Sequence, residues 1–157
     1  NLITAILAAA AIGIFEATIE KIVTLAILMP IVASMGGIAG MQSLALVIRS
    51  QATNQIGSSN SKLLILKESA IGVLNGILWS SVVSIAVYLW FDSVFLGVVI
   101  AVALLVNLII GAISGVTLPL ILKKLNIDPA IAGGVILTTI TDIVGFISLL
   151  GVATLIM

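Results

Sequence analysis

The chain has 157 residues, 62% hydrophobic and 8% charged, with zero net charge and no basic tract of the kind that binds nucleic acid. A soluble domain of this length cannot hide that much apolar surface, so composition excludes a water-soluble globule and predicts an all-α integral membrane protein held in a lipid bilayer. Cysteine and histidine are both absent; thiolate and imidazole metal sites go with them, as do the usual nucleophile–base pairs of an enzyme, and only oxygen ligands suited to hard cations remain.

Five apolar runs predict five transmembrane helices. The first, from about Leu2 to Phe15, is short, as a clipped span would be. The chain opens on Asn1 rather than Met and shows no signal-peptide pattern, which reads as a sequence that has lost something upstream. The second run, roughly Ile22 to Ile48, is expected to be broken by Pro30 and by Gly36-Gly37. A polar linker from Ser50 to Ser61 follows. The third span covers about Leu63 to Phe91, the fourth about Val94 to Leu122, and the fifth about Pro129 to Ile156. Pro129 suits the first helical position, where its missing N–H costs nothing, and Asp128 just ahead suits the N-cap.

Loop charges then orient the spans. Arg49, Lys62, Lys67, Lys123 and Lys124 fall on the side shared with the N-terminus, whereas the other side has Lys21 with Glu16, Glu20 and Asp92. The positive-inside rule predicts a multi-pass protein of the cytoplasmic membrane, N-terminus in the cytosol and C-terminus outside. Trp90 and Phe91 close the third span at the outer interface. Three glycine pairs at helical spacing (Gly36/Gly40, Gly72/Gly76 and Gly111/Gly115) predict close backbone packing, within one chain or between two.

Asp142 lies about 14 residues into the fifth run, roughly 20 Å along a helix and near mid-membrane. A carboxylate at that depth costs about 2.5–3.5 kcal/mol, and an intramembrane acid is a functional site by default. The alternative is a protonated Asp that bonds a neighbouring helix as structural glue. Thr138, Thr141, Asp142, Gly145 and Ser148 share helical spacing and predict one polar face lining a pore. The fourth span offers Asn107, Gly111, Ser114 and Gly115, and the second offers Pro30, Ser34, Gly37, Gly40 and Met41, for packing or for pore lining. One acid per chain is a poor cage for a divalent ion. A two-fold homodimer would set two Asp142 carboxylates about one axis and suits magnesium, which keeps most of its water. Asp128 reads equally as a helix cap or as an ion ligand, and Glu68 as an interfacial acid that could face an inner vestibule. Glu16, Glu20 and Asp92 read as solvated loop charges.

The run Met29-Pro30-Ile31-Val32-Ala33-Ser34-Met35-Gly36-Gly37 with Gly40 and Gln42, the helix start Ile127-Asp128-Pro129-Ala130, and Thr138-Thr139-Ile140-Thr141-Asp142-Ile143-Val144-Gly145 resemble the transmembrane domain of the MgtE-type magnesium channel family. The likeness covers essentially residues 1–157. It implies a homodimeric ten-helix bundle that conducts magnesium, the transported ion, along its two-fold axis, lined mainly by the second and fifth spans. By position, Asp142 matches the family's pore aspartate, which binds hydrated magnesium with the carbonyl one turn earlier, here Thr138; Asp128 matches an acid at the cytosolic end of the same helix. Family members usually carry cytosolic regulatory domains upstream. The sequence departs from the family at Ile38 and at Gly134, where others have asparagine. Two other classes stay open: a proton- or sodium-coupled cation transporter with Asp142 as the titrating carrier, and a membrane scaffold that transports nothing.

Overall fold

The computed structural model describes residues 2–53 and 61–157, and among these every regular element is a helix: α1 (Leu2–Gly13), α2 (Glu16–Lys21), α3 (Thr24–Ala52), α4 (Ser61–Phe91), α5 (Val94–Lys124) and α6 (Pro129–Ile156). Four of them, α3 to α6, are long and apolar enough to cross a membrane. The first expected span is α1, whose 12 residues rise only about 18 Å, short of a hydrocarbon core of roughly 30 Å. It lies along α6.

Three sequence expectations change here. Glu16–Lys21, expected as a loop, forms the short helix α2. It is held down by its one buried residue, Thr18, whose hydroxyl meets that of Thr154 on α6 at 2.7 Å. And α3 is unbroken: Pro30 and Gly36-Gly37 sit inside a continuous 29-residue helix. Membrane helices tolerate such residues when neighbouring helices brace the backbone, and α5 and α6 both pack on α3. The helix also runs through Ser50–Ala52, so the polar linker begins later than expected; residues 54–60 of it lie outside the described residues.

Between the other helices the predicted boundaries agree with the structure. Asp92 and Ser93 alone join α4 to α5. Asp92 adopts a left-handed φ of 48°, which Asp accepts better than most residues, and the Ser93 hydroxyl caps α5 by accepting from the Leu96 N–H at 3.3 Å. Asn126, at φ 58°, makes the corresponding bend between α5 and α6. Trp90 and Phe91 stack at the end of α4 with ring centroids 6.0 Å apart.

The centre of the bundle is α5, which α3, α4 and α6 all pack against. Val99, Ile100, Ala103 and Leu104 on α5 meet Leu25, Leu28 and Val32 on α3 and Leu149, Leu150 and Ala153 on α6. Nearer the other end, glycine replaces bulk. A Cβ on Gly111 would come within 2.6 Å of the Gly36 carbonyl oxygen, one on Gly40 within 2.9 Å of the Gly111 carbonyl, and one on Gly115 would overlap the Gly40 carbonyl. On the opposite flank a Cβ on Gly72 would lie 2.6 Å from that of Ala112. The three glycine pairs therefore join helices within one chain.

Candidate ion-binding groove

Helix α6 starts as its sequence predicts. Pro129 takes the first turn and the Asp128 carboxylate accepts the Ala130 N–H at 2.8 Å. That bond satisfies one of the free donors at the helix start and holds a negative charge against the positive end of its dipole. Asp128 is thus a cap in this structure, exposed to solvent and with no partner among the described residues on its second oxygen, which can meet a cation.

Further along, α6 and α3 diverge on the side away from α5 and leave an open groove of about 550 Å³. Asp142 and Thr138 enter it from α6; Ser34, Gly37, Ile38 and Met41 enter from α3. Asp142 is half-buried, Thr138 and Ser34 exposed. The Thr138 hydroxyl donates to its own helix, to the carbonyls of Gly134 at 3.0 Å and Val135 at 3.1 Å. A hydroxyl has only one proton, so both bonds share it and the oxygen lone pairs stay available to a cation or its water shell. One carboxylate and one hydroxyl, four residues apart on one helix face, make a short column of hard oxygen ligands. Among the described residues, no three acidic side chains come together.

The rest of the predicted polar face turns elsewhere. Thr141 is fully buried, its hydroxyl bonded to the carbonyls of Leu137 at 3.2 Å and Thr138 at 3.1 Å. Gly145 faces inward as well, where a Cβ would lie 2.8 Å from the Asn107 amide nitrogen and 3.1 Å from Val32. Pro30 is exposed one turn before Ser34, beyond the residues that line the groove. The structure brings together Asp142, Thr138, Ser34 and Gly37. It sets Thr141 and Gly145 behind them, and Asp128 at the far end of the same helix.

Asn107 explains how that backing is held. It is fully buried on α5, and its amide donates to the Val32 carbonyl on α3 at 2.7 Å. Its own carbonyl oxygen has no described partner, which costs about 1–3 kcal/mol. The side chain fits only because Gly36 and Gly145 leave a slot for it. The sequence offered Asn107 as packing or pore lining, and its burial makes it packing.

The family model MgtE, described as divalent cation transporter, matches residues 29–152, from α3 to α6. The chain is similar to proteins named "Magnesium transporter MgtE" from three bacteria. Identity is 38% over 143 residues with that of Bacillus subtilis (strain 168), covering 91% of this chain and 32% of that protein. It is 32% over 143 residues with that of Thermus thermophilus, with the same shares covered, 91% and 32%. With that of Enterococcus faecalis it is 30% over 149 residues, 95% of this chain and 33% of that protein. The chain thus spans about a third of the length of these relatives.

Proposed function

Since the chain belongs to the MgtE family of divalent cation transporters, we propose that it carries magnesium across the cytoplasmic membrane through a pore formed between two copies of itself. The observation that carries this reading is the groove. Polar groups on a lipid-facing surface are costly, and here a carboxylate, a hydroxyl and a serine share one open face of the α3–α6 pair. A second copy related by a two-fold axis would cover that face and supply the second carboxylate that a doubly charged ion calls for. Magnesium would pass with most of its water retained, touching Asp142 and the Thr138 carbonyl through that shell, while Asp128 and its mate attract cations at the inner mouth. In this reading α1 is part of a fifth crossing, which makes ten helices in the dimer. The bundle end that carries Arg49, Lys62, Lys67 and Lys123-Lys124 faces the cytosol.

Asp142→Ala tests it. In proteoliposomes the variant should insert and dimerise as the parent does, since losing a costly charge does not impair insertion, while magnesium flux falls to the level of empty vesicles. Flux near that of the parent would refute the pore. One feature of the groove favours a second reading: Asp142 is a lone carboxylate with no described basic partner, and such groups also serve as proton or sodium carriers. Flux driven by the magnesium gradient alone selects the channel, and a requirement for a proton or sodium gradient selects the coupled transporter.

A further inference from the structure

Glu68 is the more deeply buried of the two acids on the membrane helices, only 6% exposed. It lies seven residues into α4, roughly 10 Å along the helix. Lys67, the preceding residue, is exposed. The partner described for Glu68 is the hydroxyl of Ser43 on α3, which donates to it at 2.8 Å. That bond crosses a crevice. Helices α3 and α4 both lean on α5 and hardly touch each other, so a cavity of about 200 Å³ stays open between them. Gln42 and Asn75 join Glu68 and Ser43 in its wall, and Leu108 and Ala112 on α5 form its floor. Gln42 also lines the groove that holds Asp142, so a single side chain borders both spaces.

We infer that this crevice is a second magnesium site, on the basic end of the bundle and beside the pore. The inference rests on reading the chain as a magnesium pore. An ionised carboxylate this deeply buried, with no basic partner among the described residues, is unfavourable until a cation or a proton neutralises it. The polar groups around it are one carboxylate, one hydroxyl and two carboxamides, a set of hard oxygen donors that suits magnesium or calcium and not softer metals. Size then favours magnesium. At about 30 Å³ per water, the cavity has room for roughly six or seven waters, so an ion can enter with most of its shell and exchange only one or two waters for protein oxygens. Magnesium, which dehydrates reluctantly and is held by one or two carboxylates, binds in this way; calcium wants six to eight direct ligands. Through Gln42 the bound ion sits next to the groove that holds Asp142.

The test is magnesium binding by equilibrium dialysis of the whole chain in lipid nanodiscs, for Asp142→Asn and for Asp142→Asn with Glu68→Gln. Asp142→Asn should keep binding magnesium, and adding Glu68→Gln should weaken that binding at least tenfold, no less than the roughly tenfold lost with even an indirect metal partner. Equal binding by the two variants would overturn the site. Glutamine still accepts the Ser43 hydroxyl, so the α3–α4 bridge survives the change. Should the double variant nevertheless fail to fold, infrared difference spectra of Asp142→Asn decide. Magnesium must shift an ionised-carboxylate band, and an unchanged carboxylic-acid band would show Glu68 protonated and the site refuted. Normal flux in Asp142→Asn would instead break the pore reading while leaving these binding results as they stand.

Discussion

The two faces of α3 are made of similar material and have opposite fates. On one, Gly36 and Gly40 press against Gly111, Gly115 and Asn107 of α5 until no Cβ would fit. On the other, Ser34, Ile38 and Met41 stand open beside α6, with Ile38 56% exposed. In water, hydrophobicity would separate these faces. In lipid it does not, because an apolar side chain is as well accommodated by acyl chains as by a neighbouring helix. What separates them is size on the packed side and polar atoms on the open side. Small residues let backbones approach, whereas a serine, a carboxylate and a threonine in one groove call for water, an ion or a second chain.

The largest effect that would break this contrast comes from pressing a methyl group against one face of α3 and adding one to the other. Gly115→Ala puts a Cβ into the Gly40 carbonyl and against Ser43. Backbone cannot step aside as a side-chain tip can, so α3 and α5 must separate, at a cost of about 3 kcal/mol. Gly37→Ala meets only the Thr141 hydroxyl, at an ordinary 3.7 Å, and gains up to about 1 kcal/mol from better helix propensity. Unfolding each variant with denaturing detergent from mixed micelles measures both. Equal stabilities would mean that the two faces of α3 do not differ as described.

A cysteine pair sharpens the contrast from the side of α6. Thr138→Cys places a thiol in the open groove, and under mild oxidation it should cross-link to its counterpart in a second copy if the groove is the dimer axis. Gly145→Cys should not, because its Cβ would collide with the Asn107 amide. Electrophoresis without reductant reads both. Cross-linking at 145 but not at 138 would place the axis on the wrong face of α6.

That experiment also marks where sequence reasoning stopped. The start of α6 was legible because its cap is written locally, in Asp128-Pro129. The polar stripe on α6 was legible as a stripe, but it is two rows. Thr138 and Asp142 form one and Thr141 and Gly145 the other, about 60° apart on a helix that turns roughly 100° per residue. Periodicity accepts both rows as a single face. Only the position of α5, with Asn107 wedged against Gly145, decides which row is packed and which is open. Glu68 reads from sequence as interfacial, or as facing an inner vestibule, because it follows Lys67 at the inner end of the third span. Its burial depends on Ser43, 25 positions away in sequence, and no local pattern shows it. The helix α2 was missed for a similar reason, since its tether is the distant Thr154.

The smallest effect concerns Ile38, which lines the groove at a position where the family resemblance leads one to expect asparagine. Asparagine there would give the groove an amide one turn along α3 from Ser34, on the wall facing Asp142. Ile38 is already more than half exposed, so Ile38→Asn removes little packing, and surface changes of this kind usually stay within about 0.5 kcal/mol of the parent stability. The added carbonyl oxygen can accept from the water shell of a passing ion, and one such neutral hydrogen bond is worth about 0.5–1.5 kcal/mol. By the relation of 1.4 kcal/mol to a factor of ten, the magnesium concentration for half-maximal flux should fall roughly two- to tenfold, with the maximal rate little changed. Concentration-dependent flux into proteoliposomes measures both quantities. A half-maximal concentration that stays fixed or rises would mean that the ion does not pass along the Ile38 wall, and the open face of α3 would then be a helix–helix contact and not a pore lining.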